Sequence, residues 1–126
     1  MILDIAYTQH RGTDWRYPVQ QDALWNSVEV IQSRNRLPAG LQTHADVISL
    51  AVADGLGGTP QAARASRTVL EELAAAIQGG ALFDRGLVRR IHARLCDRLA
   101  FGETFGSATT LAAVQIQGEQ CAVMNV

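Results

Sequence analysis

Hydrophobic and polar positions alternate in short strand-like runs at both ends of the chain, with helix-like spacing between them. Ile2–Thr8 suits a first strand, and Gln9–Gln21, polar and carrying Gly12 and Pro18, suits a loop. Asp22–Gln32, with Leu24, Val28, Val30 and Ile31, fits a second strand, and Ser33–Thr43, with Asn35, Pro38 and Gly40, reads as a turn. Asp46–Ala53 is a short apolar run closed by Asp54-Gly55, the pattern of a buried strand.

The period then changes. Ala62, Ser66, Val69, Leu70, Leu73 and Ile77 recur at helical spacing. Thr59 is placed to cap this helix, Pro60 suits its first position, and Gly79-Gly80 suits its end. A second helix is expected from Asp84, with Leu87, Ile91, Leu95 and Leu99 in one stripe and Arg85, Arg89, Arg90, Arg94 and Arg98 on its solvated face. Beyond Gly102 and Gly106, Ser107–Gln117 and Gln120–Val126 form two strand-like runs around Gly118-Glu119, which predicts a hairpin. Strands at both ends and helices between them predict an α+β fold.

Composition narrows the function classes. The chain has 126 residues, 48% of them hydrophobic, which suffices for a core. Its 11 basic residues, all Arg, balance 12 acidic ones, so no basic excess exists to release counterions from nucleic acid. No segment has the length and apolarity of a membrane span, and no N-terminal signal pattern is present, so a cytoplasmic protein is expected, without a membrane partner. Cys96 and Cys121 sit among apolar neighbours and are expected to be buried, reduced thiols.

The chemistry-bearing segment is Val52-Ala53-Asp54-Gly55-Leu56-Gly57-Gly58. A buried strand delivers a carboxylate at its end, and the glycines after it let the backbone turn and approach a ligand. Oxygen donors of this kind suit Mg²⁺ or Mn²⁺. A phosphate cradle before the helix at Thr59 is the competing reading, but neither the GxGxxG nor the GxxxxGK[ST] spacing occurs. Two further elements stand out: Gln20-Gln21-Asp22-Ala23 at a loop-to-strand passage, and Gly106-Ser107-Ala108-Thr109-Thr110 opening the final hairpin.

In this order, and with Asn125-Val126 closing the chain, the elements resemble the bacterial members of the metal-dependent PP2C (PPM) family of protein phosphatases. The resemblance runs from Tyr7 to Val126. It implies a four-layer α-β-β-α sandwich, two antiparallel sheets flanked by helices, of which residues 1–126 would form the N-terminal half. It also implies hydrolysis of phosphoserine and phosphothreonine in proteins, the substrates of a bacterial Ser/Thr kinase, by a water activated at a binuclear Mn²⁺ or Mg²⁺ centre. No side chain would act as nucleophile.

Carried over by position, Asp54 would bridge the two ions, Gly55 would lend its carbonyl oxygen, and Asp22 would hold the second ion. The phosphate-binding Arg of the family stands five residues before the Asp of the second element. Tyr17 occupies that place here, so Arg16, shifted by one residue, is the candidate, with Arg11 as the alternative. His10 is a candidate general acid. The family's later metal carboxylates have no counterpart in residues 1–126, so this stretch alone is expected to be inactive. The alternative is a PPM-like module that binds phosphoprotein or partner domains without catalysis.

Overall fold

In the computed structural model, which describes residues 1–126, the chain runs β1 (Ile2–His10), β2 (Asp22–Trp25), β3 (Val30–Ile31), β4 (Asn35–His44) and β5 (Val47–Asp54). It continues through α1 (Ala62–Gln78), α2 (Arg85–Leu99), a 3₁₀ turn at Gly102–Thr104, β6 (Ala112–Gln117) and β7 (Gln120–Asn125). The fold is α+β, with two antiparallel sheets and two helices. β1 and β4 pair as one sheet, and the other has the order β3-β2-β5-β6-β7. No helix is long and apolar enough to cross a membrane.

Alternation along the strands gives the five-stranded sheet two different faces. Ala23 and Trp25 of β2, Ala51 and Ala53 of β5, Ala113 of β6 and Met124 of β7 point to one side. There they pack with Val69, Leu70 and Leu73 of α1 and Leu87 and Ile91 of α2. The alanines in the middle of the sheet let α1 lie close. Leu70, Leu73 and Leu87 are fully buried as a result. The other face carries Asp22, Leu24, Leu50, Val52, Asp54, Val114 and Val123. Several of these residues line, together with Ile5 and Tyr7 of β1, an apolar groove of about 580 Å³.

The helix ends follow local chemistry. The Asp84 side chain accepts from the Leu87 N–H at 2.8 Å and caps α2 as expected. Gly79 closes α1, and Gly80 takes φ +83° just beyond it. The start of α1 differs from expectation. Thr59 closes a turn instead, its hydroxyl donating to the Leu56 carbonyl oxygen at 2.6 Å, and the cap falls to Gln61 in a left-handed conformation. The arginine face of α2 is only partly solvated, because Arg94 and Arg98 reach Glu72 of α1 at 3.3 and 3.0 Å.

Three other expectations need correction. The single strand over Asp22–Gln32 is broken into a hairpin. The buried Asn26 accepts the N–H groups of Val28 and Glu29 at 3.0 and 2.9 Å, turning the chain with Ser27 at φ +78°. The turn expected over Ser33–Thr43 is mostly strand: β4 pairs with β1 from Ile2↔His44 to His10↔Asn35. Pro38 is tolerated because the register shifts there. Tyr7 faces Ala39 and Gln9 faces Arg36, so Pro38 lies in the bulge and owes no ladder bond. Finally, Cys96 and Cys121 are exposed, since Cys96 falls outside the Leu87–Ile91–Leu99 stripe and Cys121 lies on an uncovered sheet face.

Candidate functional site

The β2–β5 ladder sets Asp22 directly opposite Asp54. Its hydrogen-bond phase brings the two side chains close. The Asp54 carbonyl oxygen accepts the Thr110 N–H at 2.9 Å and the Asp54 N–H donates to Thr110 Oγ1 at 3.1 Å, so the backbone of Asp54 bonds toward the loop before β6, away from β2. The Gly55 N–H instead donates to the Gln21 carbonyl oxygen at 3.1 Å. Asp22 and Asp54 therefore form a non-hydrogen-bonded pair, the kind in which Cα atoms stand only about 4.5 Å apart and side chains are nearest.

The electrostatics follow from that geometry. Partial burial, then a hydrogen bond with the Asp54 carboxyl and its charge, pushes the Asp22 carboxyl up to about 6. No arginine or histidine contributes to that balance, so the pair carries uncompensated negative charge above pH 6. Two like carboxylates in this position share a proton or call for a cation.

Several groups hold the pair in place. The buried Gln9 donates from Nε2 to the Asp22 carbonyl oxygen at 2.9 Å, while its Oε1 accepts the Ser33 N–H at 2.6 Å. Thr109 Oγ1 donates to the Asp54 carbonyl oxygen at 2.9 Å. Gly55 is wedged where no side chain fits: a Cβ there would lie 2.7 Å from the Gln21 carbonyl oxygen and closer still to that of Ala62. The carbonyl oxygen of Gly55 itself accepts no hydrogen bond.

Of the residues singled out by sequence, the structure brings together Asp22, Asp54 and Gly55. It does not bring Arg16, Arg11 or His10 into hydrogen bonding with the carboxyls. Arg16 Nη2 meets Asp14 at 2.7 Å and its Nε lies 3.1 Å from the same carboxylate. That pairing holds Asp14 below and Arg16 above its ordinary range, chiefly through the side-chain bond between them. Arg11 reaches forward to the carbonyl oxygens of Asp14 and Tyr17 and closes the loop. His10 Nδ1 accepts the Gly12 N–H at 2.9 Å. No third His, Cys, Asp or Glu joins the acidic pair.

Gln9, Thr109 and Thr110 escaped the sequence reading as site residues. By sequence the adjacent threonines open a hairpin, but their bonds to Asp54 span more than fifty positions. Gln9 carries no local signal, since its partners lie on β2 and on the loop before β4.

The chain matches no protein-family model, no curated protein and no solved structure.

Proposed function

We propose that the chain carries the metal-binding edge of a PP2C-type protein phosphatase, acting on phosphoserine and phosphothreonine in proteins. One observation carries this reading: Asp22 and Asp54 oppose each other on neighbouring strands with no cationic side chain to balance them. The donor set fits Mg²⁺ or Mn²⁺. Two carboxylates are hard oxygen ligands, and the unpartnered carbonyl oxygen of Gly55 adds a neutral one. Asp54 and Gly55 would hold one ion and Asp22 with Asp54 the other. Divalent ions held here would acidify a water and neutralise charge on the phosphoryl oxygens.

The chain's own part is positional. Gln9, Thr109 and Thr110 fix the backbone of the two aspartates, and Gly55 lets α1 close against β2. Arg16 would have to leave Asp14 to grip a phosphate, a move open to an exposed pair held by little free energy. The four-layer sandwich belongs to this reading, with the apolar groove beside β1 as the surface a second sheet would cover.

The alternative is a module that binds phosphoprotein without catalysis. The two readings part in one experiment: Mn²⁺-dependent hydrolysis of p-nitrophenyl phosphate by the full-length gene product and its Asp54→Asn variant. Activity that depends on Mn²⁺ and is lost in the variant supports the phosphatase. Full activity in the variant sinks it. Inactive full-length protein that still captures phosphopeptide supports the binding module.

A further inference from the structure

The helix-side face of the five-stranded sheet changes character along its strands. At the acidic end Ala23, Ala51, Ala53 and Ala113 let α1 lie close. At the other end the same alternation presents Trp25 of β2, Val47 and Ser49 of β5, and their cross-strand partners Gln117 and Gln115 of β6. α1 stops at Gln78, and the chain crosses this end of the sheet as the loop over residues 80–83. A cavity of about 420 Å³ is left between the sheet, Ile77 and that loop. None of its walls comes from β7, and none of its lining residues is charged.

Two donors in this cavity lack acceptors. Trp25 is 3% exposed, and its indole N–H has no hydrogen-bond partner. Ser49, equally buried, accepts from Gln115 Nε2 at 3.1 Å, and its hydroxyl donates to no group of the protein. Trp25 pairs with Ala51, so Ser49, two residues along β5 on the same face, is its diagonal neighbour. Buried donors without acceptors are costly, and native proteins leave few of them. The indole is packed into the core and has no second polar atom to turn inward. Its acceptor has to come from the cavity.

We propose that this cavity binds a small neutral molecule with a planar apolar body and a carbonyl oxygen, which accepts from Trp25 Nε1 with Ser49 as the neighbouring donor. The ligand class follows from the lining. Both orphan groups are donors, so the ligand supplies the acceptor. No charged side chain lines the cavity, so a charged ligand would be buried unpaired. Val47, Ile77, Leu82 and Phe83 suit an apolar body, and the flat Trp25 ring suits a planar one. The volume falls within the range of ordinary small-molecule sites. Trp25 Nε1 is covered from solvent, so the ligand turns a wall side chain aside on entry, a change common at binding surfaces. The site lies at the far end of β2 and β5 from Asp22 and Asp54, and stands independently of the function assigned to that pair.

Benzamide is the probe, with toluene and benzoate as matched controls: one lacks the acceptor and the other carries a charge. Binding is read by NMR on the 126-residue chain, from the indole N–H and the Val47 methyl groups. Trp15→Phe, at an exposed position, assigns the Trp25 resonance. Benzamide should move the Trp25 N–H downfield and saturate with a Kd on the order of 1 mM, as suits a molecule of its size. Toluene and benzoate should bind at least about tenfold more weakly. Nuclear Overhauser contacts should run from the benzamide ring to the methyl groups of Val47 and Ile77. Trp25→Phe keeps an aromatic ring but removes the N–H, and should lower benzamide affinity by about tenfold. If that variant does not fold, the contacts and the two controls decide on the wild-type chain alone. The proposal is overturned if benzamide leaves the Trp25 N–H unmoved, binds no better than toluene or benzoate, contacts Ile5 on the opposite side of the sheet instead, or binds a folded Trp25→Phe variant equally well.

Discussion

Asp22 and Asp54 face each other as a non-hydrogen-bonded cross-strand pair, and the Asp22 carboxyl is thereby pushed up to about 6 from 3.8. The sign of the consequence for stability is fixed by linkage. A carboxyl that holds its proton more tightly when folded stabilises the fold while protonated. That stability is present below about pH 4 and is lost as pH rises through about 6. Replacing Asp22 by Asn should therefore stabilise the chain at pH 7 by about 1 kcal/mol, after allowance for solvent screening, and do little at pH 4. Thermal melts of both proteins from pH 4 to 7 measure this. A difference independent of pH would show that the repulsion with Asp54 is not its source.

On the proposed metal-site reading, the same repulsion should make the pair bind a divalent cation. Mn²⁺ at about ten times its dissociation constant should stabilise the chain at pH 7 by about 1.4 kcal/mol, a rise of a few degrees in Tm. Asp54→Asn should abolish that rise, and lowering the pH to 5 should weaken it, because Asp22 is then protonated. An equal rise in the variant would place the ion elsewhere.

Gly55 is required by space. A Cβ there collides with the backbone carbonyl oxygens of Ala62 and Gln21, neither of which can rotate away. Gly55→Ala should cost about 3 kcal/mol in urea denaturation. Gly57→Ala serves as the control, since its Cβ would meet only side-chain atoms of Tyr17 and Gln21, none nearer than 3.4 Å, and should change stability by about 0.5 kcal/mol or less. Equal losses in the two would mean that the loop, and not the contact of α1 with β2, sets the requirement.

What was legible in the sequence was local. The Asp84 cap, the stop at Gly79-Gly80 and the turn at Gly118-Glu119 each act within a few residues, and each stands where expected. β4 was not legible. Pro38 and Gly40 are turn residues by local rule, and only pairing with β1, some thirty positions earlier, turns Asn35–His44 into a strand. The site divides in the same way. Asp54 at the end of an apolar run could be read directly. The register that sets Asp22 against it is a tertiary fact, whereas the bond that draws Arg16 away from the pair is local, to Asp14 two residues earlier.

Gln9 tests how the carboxylates are held. It is buried, and its amide ties the Asp22 carbonyl oxygen to the Ser33 N–H, joining β1 to β2 and to the loop before β4. Truncation to Ala removes both bonds from half-buried backbone groups, so Gln9→Ala should cost about 1–3 kcal/mol in urea denaturation. The effect should reach the site as well. With its backbone released, Asp22 should titrate nearer its ordinary value, which carboxyl NMR would detect as a lowered midpoint. If Gln9→Ala loses stability while the Asp22 midpoint stays near 6, Gln9 is a core residue alone and the position of Asp22 is set by the β2–β5 ladder.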